Sequence, residues 1–176
     1  MSILIIILIV LAGIISLLFI IALFMKREHY VKREITINAP LQKVFDYVKL
    51  LKNQEEFNIH AAADSDRKKE FKGTDGTVGF IYAWSGNKDA GEGEKEIKNI
   101  VEGQKIETEI RFVKPFTAIA HVEMTTERLS DNQTKVAWSN RSSLNYPLNI
   151  MVPMVEKSVA KGMDSSLLTL KNILEK

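Results

Sequence analysis

The residues of this chain that could do chemistry are few and scattered. Its three histidines, His29, His60 and His121, fall into no HxxxH or HExxH spacing. No two imidazoles therefore share a helix face, as a sequence-local metal site would require. The chain has no cysteine, which removes thiolate nucleophiles, disulfides and Cys-ligated metals. Ser142 and Ser143 have no His–Asp partner visible in the sequence, and a serine nucleophile needs an adjacent base. Gly73, Gly76 and Gly79 are spaced like a phosphate loop, but the Gly-Lys-[Ser/Thr] ending and the following helix are missing. The expectation is a site with no catalytic constellation, no metal and no cofactor.

Binding chemistry is better represented. Phe80, Tyr82 and Trp84 alternate on one strand face, and Phe112, Met124 and Trp138 take matching faces of later strands. Pockets for apolar ligands are lined this way, with few polar groups; a filled core gives the same pattern. Met151, Met154 and Met163 near the C-terminus add flexible thioethers, which suit an adaptable pocket and equally a core. Asn140 continues the face of Trp138 and could orient the polar group of a ligand. The candidate cavity lining is thus Phe80, Tyr82, Trp84, Phe112, Met124, Trp138, Asn140, Met151 and Met154.

Glu92, Glu94 and Glu96 share one side of their strand, which reads most simply as a solvated outer surface. Turned inward, a buried carboxylate there would have a raised pKa and could act as general acid or base. Gly91 and Gly93 between them would relieve crowding at a bend. His60 is the best single candidate for acid–base work. His29 is expected at a membrane interface and His121 on the outer face, with Arg111, Lys114 and Arg141 as surface charges.

The elements that must position these residues follow from periodicity. Tyr30 to Asn38 alternates as a half-buried strand. Asn38-Ala39-Pro40 starts a helix, in which Val44, Phe45, Val48 and Leu51 recur at helical spacing; a second short helix covers Asn53 to Phe57. From Arg67 the signals change to strands, with Gly73-Thr74-Asp75-Gly76, Asn87-Lys88-Asp89, Gly103-Gln104, Pro115 and Asp131-Asn132-Gln133 as breaks. The strands expected between them are Thr77–Ser85, Gly91–Val101, Lys105–Val113, Phe116–Leu129 and Thr134–Leu144, an antiparallel meander. Met151, Val155, Val159, Met163, Leu167, Leu170 and Leu174 then form the stripe of one long helix, with a kink or separate first turn at Pro153.

Ahead of all this, Ile3 to Phe24 carries no charge over about 22 residues. As a helix it is ~33 Å long, enough to cross a ~30 Å hydrocarbon core. It is too uniformly apolar for an amphipathic helix and lacks the basic start and cleavage site of a signal peptide. Lys26, Arg27, Lys32 and Arg33 follow it, so the remainder is expected on the cytoplasmic side, close to anionic headgroups. The sequence reads as a transmembrane anchor over 1–25, a basic juxtamembrane segment over 26–33 and one ligand-binding domain over 30–176. A net charge of +2 is too small for a nucleic-acid footprint.

The order strand, two short helices, antiparallel strands, long helix resembles the START-like (SRPBCC) superfamily, and within it the polyketide cyclase/dehydrase and lipid-transport family. The resemblance lies in Ile35-Thr36-Ile37-Asn38-Ala39-Pro40 with Val44-Phe45-Asp46-Tyr47-Val48, in Tyr82-Ala83-Trp84-Ser85-Gly86-Asn87 and in Gly91-Glu92-Gly93-Glu94. It continues through Arg111-Phe112-Val113-Lys114-Pro115-Phe116, Val136-Ala137-Trp138, Gly162-Met163 and Leu170-Lys171. It departs at Phe57-Asn58-Ile59-His60, where the family often carries tryptophans and a proline. The resemblance implies an α+β helix-grip fold, a curved antiparallel sheet wrapped around the C-terminal helix and enclosing a hydrophobic cavity. The expected function is membrane-tethered binding or transport of a lipid or other hydrophobic small molecule. The alternatives are a polyketide cyclase- or dehydratase-like enzyme in the same cavity and a non-enzymatic interaction or stress-response module.

Overall fold

The structure is a computed structural model. It describes residues 2–176 except 63, 65, 89 and 116, and the side chains of His60 and Ala62 also lie outside the described set. The chain opens with α1 (Ile3–Phe24), and only Met25, Lys26 and Arg27 separate it from β1 (Glu28–Ile37). Two short helices follow, α2 (Leu41–Lys49) and α3 (Leu51–Phe57), then a single turn, α4 (Ile59–Ala62), that periodicity did not reveal. Four residues are too few to show a helical repeat.

Six more strands complete one sheet: β2 (Lys68–Lys72), β3 (Ile81–Ser85), β4 (Glu92–Val101), β5 (Lys105–Lys114), β6 (Ala118–Ser130) and β7 (Gln133–Ser143). Their order is β1-β7-β6-β5-β4-β3-β2, and every pairing is antiparallel. The hairpins are local, whereas β1 joins the last strand, so the sheet is completed only when the chain's two ends meet. β3 is shorter than the expected Thr77–Ser85 because Gly79 takes a φ of +86° and turns the backbone, a conformation that costs glycine little. Register shifts at Glu92/Gly93 and Ile97/Asn99 break the β4–β5 ladder, and bulges of this kind bend a sheet.

The concave face is covered by α5 (Val152–Leu174), preceded by a separate 3-10 turn at Leu148–Met151. Pro153 lies in the first turn of α5, where its missing N–H has no intrahelical partner to lose. Leu167, Leu170 and Leu174 join Val44, Phe45 and Val48 of α2 and Ile37, Ile106, Met124 and Val136 of the sheet in one buried cluster. Each such large side chain contributes roughly 1.5–3 kcal/mol by leaving water. A second cluster, Leu51, Phe80, Tyr82 and Ile97, lies under α3. The core is in two pieces, and the site lies between them.

α1 has a mean hydropathy of 3.5 and is long and apolar enough to cross a membrane. Its C-terminal end is held by the domain. Asn149, fully buried in the 3-10 turn, donates from Nδ2 to the carbonyls of Ala22 (2.6 Å) and Met25 (2.9 Å). Phe19 and Tyr146 meet edge to face at 5.9 Å. Replacing Asn149 with Ala leaves both carbonyls without that donor and is expected to cost about 1–3 kcal/mol. Limited proteolysis checks it: trypsin should cut after Lys26 and Arg27 faster in Asn149→Ala than in the wild type, with the rest of the domain equally resistant.

Candidate functional site

The register of the sheet assembles the site. Tyr82 on β3, Lys95 on β4, Ile110 on β5, Ala120 on β6, Ser142 on β7 and His29 on β1 fall in one cross-strand row. All six line a cavity of about 430 Å³, within the range of ligand pockets. The floor is low because Ala118 and Ala120 occupy inward positions. The roof is high because α5 presents Gly162 and Ser166, four residues apart, where its later turns present Leu170 and Leu174. Small residues on facing elements leave the space that large ones fill at the other end.

Five of the expected lining residues meet there: Tyr82, Trp84, Phe112, Trp138 and Asn140. Trp84 stacks on Tyr82 (5.8 Å) and meets Phe112 edge to face (6.1 Å). Its Nε1 donates to the Ala90 carbonyl at 3.0 Å. A Cβ on Gly93 would come within 2.8 Å of the Trp84 ring, so that glycine is what lets the indole lie against the strand.

Four expected lining residues are elsewhere. Phe80 and Met124, 1% and 2% exposed, are packed core. Phe80 lies one row beyond Tyr82, among Leu51 and Ile97, and Met124 sits in the α5 cluster. Met151 and Met154 are 39% and 60% exposed and do not line the cavity. Met151 belongs to the 3-10 turn, whose different period rotates it off the stripe of α5, and Met154 lies on the outer side of the first turn.

The outer face carries the glutamates. Glu94 and Glu96 bind Arg111 at 2.6 and 2.8 Å, Glu109 closes on the same guanidinium, and Glu92 pairs with Lys114 at 2.8 Å. Arg111 is a charge of this outer surface, held between three carboxylates. His121 is exposed, as expected. His29 is 5% exposed in the cavity wall, and burial lowers its pKa. The His60 side chain lies outside the described residues.

Sequence reasoning missed the polar end of the cavity. Lys95 is buried, and its Nζ donates to Gln54 Oε1 of α3. Gln54 is itself fixed by donation from Nε2 to the Val48 carbonyl (2.7 Å). Beside it Arg67 grips both oxygens of Glu55 (2.5 and 2.6 Å), with Lys69 at 3.1 Å. Burial, reinforced by the Glu55 carboxylate, pushes the Tyr82 hydroxyl pKa up, so it stays protonated. Burial pulls Lys95 from an ordinary 10.5 down to about 8, opposed only in part by Glu55. The signal was present: with three glutamates on one side of β4, period two puts Lys95 on the other. Among the described residues no group of three histidine or carboxylate side chains could hold a metal ion.

No protein-family model matches this chain, and no curated protein matches it. Solved structures do match. Norcoclaurine synthase from Thalictrum flavum, in complex with dopamine and hydroxybenzaldehyde, aligns with a TM-score of 0.63 at 11% identity, over 88% of this chain and 90% of that one. Ara h 8.0201 aligns with a TM-score of 0.54 at 16% identity, over 81% and 98%. The Aha1 dimer from Colwellia psychrerythraea gives 0.57 at 15%, over 84% and 96%. At these identities the likeness shows the helix-grip fold, which the sheet and α5 display directly.

The buried lysine has a consequence for stability. Between about pH 8 and 10.5 the unfolded chain holds the Lys95 proton and the folded chain releases it, so stability rises with pH across that window. Below it the full penalty of about 3 kcal/mol applies. Urea unfolding of the wild type and Lys95→Met near pH 7 and near pH 10 should show the wild type gaining on the variant as pH rises. A constant difference would mean that the amine is not desolvated.

Proposed function

We propose that this chain is a START-like (SRPBCC) protein that binds a hydrophobic small molecule in its cavity and is tethered to a membrane by α1. The observation that carries the reading is the register. Lys88, Lys114 and Pro115 are the exposed members of the described cavity lining, which puts the mouth at the ends of β3 and β5. That is also the end of the sheet where β1 starts and β7 finishes, three residues after α1. Mouth and apolar helix therefore share one end of the domain.

The surface at that end supports the reading. Leu148, Met151, Met154, Val113 and Ile119 are exposed there, and single exposed side chains of this kind need no explanation until they gather beside an apolar helix. Of the four basic residues after α1, Lys26 pairs with Glu156, Lys32 with Glu34 and Arg33 with Asp164. Such exposed pairs are worth ~0–1 kcal/mol and exchange readily for lipid headgroups. The same four residues favour a cytoplasmic domain. An apolar ligand would pass from bilayer to cavity without crossing water, driven by the apolar area it keeps dry.

A second reading, a cyclase- or dehydratase-like enzyme, has one observation behind it. An amine with a pKa of about 8 faces the cavity, near the range in which a general acid–base group works. Chemical conversion of a bound ligand by the wild type but not by Lys95→Met would select it.

Both tryptophans of the chain line the cavity, so occupancy can be read without a label. The full chain in nanodiscs should lose tryptophan fluorescence when titrated with omega-bromododecanol, whose bromine quenches on contact. Trp84→Ala should bind more weakly while unfolding at a similar urea concentration; equal loss of folding would make Trp84 core. Alkaline carbonate washing should leave the chain in the membrane pellet and release a deletion of 3–24. Release of the full chain would reject the tether.

A further inference from the structure

The charges around the cavity do not balance. Glu55 is the one carboxylate among the described lining residues, against Arg67, Lys88, Lys95 and Lys114. Glu55 is already gripped through both oxygens by Arg67 and approached by Lys69. Lys114 pairs with Glu92 outside the cavity. Lys95 has no carboxylate within ion-pair distance among the described residues; its hydrogen-bond partner is the neutral Gln54 oxygen, which uses one of its three N–H donors.

An ammonium buried in this way is costly unless an anion joins it. Gln54 cannot supply the charge, and its other end is fixed on the Val48 carbonyl. The remaining donors of Lys95 face the space that a ligand would fill. Trp138 Nε1, in the same cavity wall, is buried with no hydrogen-bond partner among the described residues.

We propose that the cavity takes an apolar ligand ending in a single carboxylate, with the carboxylate seated on the Lys95 ammonium beside Gln54. This rests on the ligand-binding reading above and names the class of ligand. The apolar remainder lies along Trp84, Phe112 and Val159 toward the mouth. A neutral head leaves the ammonium uncompensated, and a cationic head meets a site already positive. A dianionic phosphate brings more charge than one lysine answers, since Arg67 is committed to Glu55. Size agrees: about 430 Å³ at ~30 Å³ per water-sized group holds roughly 14 non-hydrogen atoms, a medium-chain or aromatic acid and not a two-chain lipid. Lys88 at the mouth favours the approach of an anion.

The test uses three probes of equal chain length, omega-bromododecanoic acid, its methyl ester and omega-bromododecanol, each titrated into the full chain in nanodiscs near pH 7 with tryptophan quenching as the readout. The acid should bind at least tenfold more tightly than the alcohol or the ester. In Lys95→Met that ratio should collapse toward one in the same nanodiscs, which removes membrane partitioning from the comparison. Retained alcohol binding by the variant shows that its cavity is still folded, and Lys95→Arg should recover part of the preference for the acid. Equal binding of all three probes by the wild type, or an acid preference that survives Lys95→Met, overturns the carboxylate assignment and leaves the ligand-binding reading standing. Quenching by none of the three overturns both.

Discussion

The structure depends on how far one helix can fill the hollow of one bent sheet. α5 crosses the concave face along its whole length, but its side chains change size on the way. Leu167, Leu170 and Leu174 interlock with α2 and the strands at one end, and protein interiors tolerate few voids where such residues meet. Gly162 and Ser166, which line the cavity with Ala118 and Ala120, stop short of the sheet at the other. The first half of the contact holds the fold, and the second half leaves room. Stability and cavity are two ends of the same packing interface.

Into that room the protein places a charge. A lysine inside an apolar wall opposes folding, and Glu55 offsets that only in part: it serves Arg67 and Lys69, and Gln54 is neutral. The domain carries this penalty out of its two buried clusters. Natural sequences break their own rules of consistency chiefly at functional sites, and the position of Lys95 in the cavity fits that pattern better than a structural role, for which an apolar residue would serve with less cost.

α1 and the cavity are related by topology. Because every pairing is antiparallel, the starts of β1, β4 and β6 and the finishes of β3, β5 and β7 gather at one end of the sheet. The chain enters the domain there from α1, and the 3-10 turn before α5 returns there to bind its last carbonyls through Asn149. The methionines expected inside the cavity, Met151 and Met154, lie on this outer rim. Their apolar character fits a surface beside a membrane as well as it fits an interior.

By itself the sequence determined the elements, their order and their faces. Period two in β4 to β7, the turns at Gly103-Gln104 and Asp131-Asn132, and the long stripe of α5 are local patterns, and local patterns survive in one dimension. From them came the antiparallel meander and the long closing helix, and the resemblance to the START-like superfamily implied the helix-grip fold; five of the residues expected to line a cavity do line it. Tertiary structure decided which inward-facing residue meets core and which meets space, since Phe80 and Tyr82 are alike in alternation and differ only by one row of the sheet. It also decided that Gln54 and Lys95, forty-one residues apart, face one another, and that His29, beside the apolar helix in sequence, lies in the wall of the pocket. Those outcomes depend on register and on the closure of β1 against β7, which are long-range pairings that no window of sequence contains.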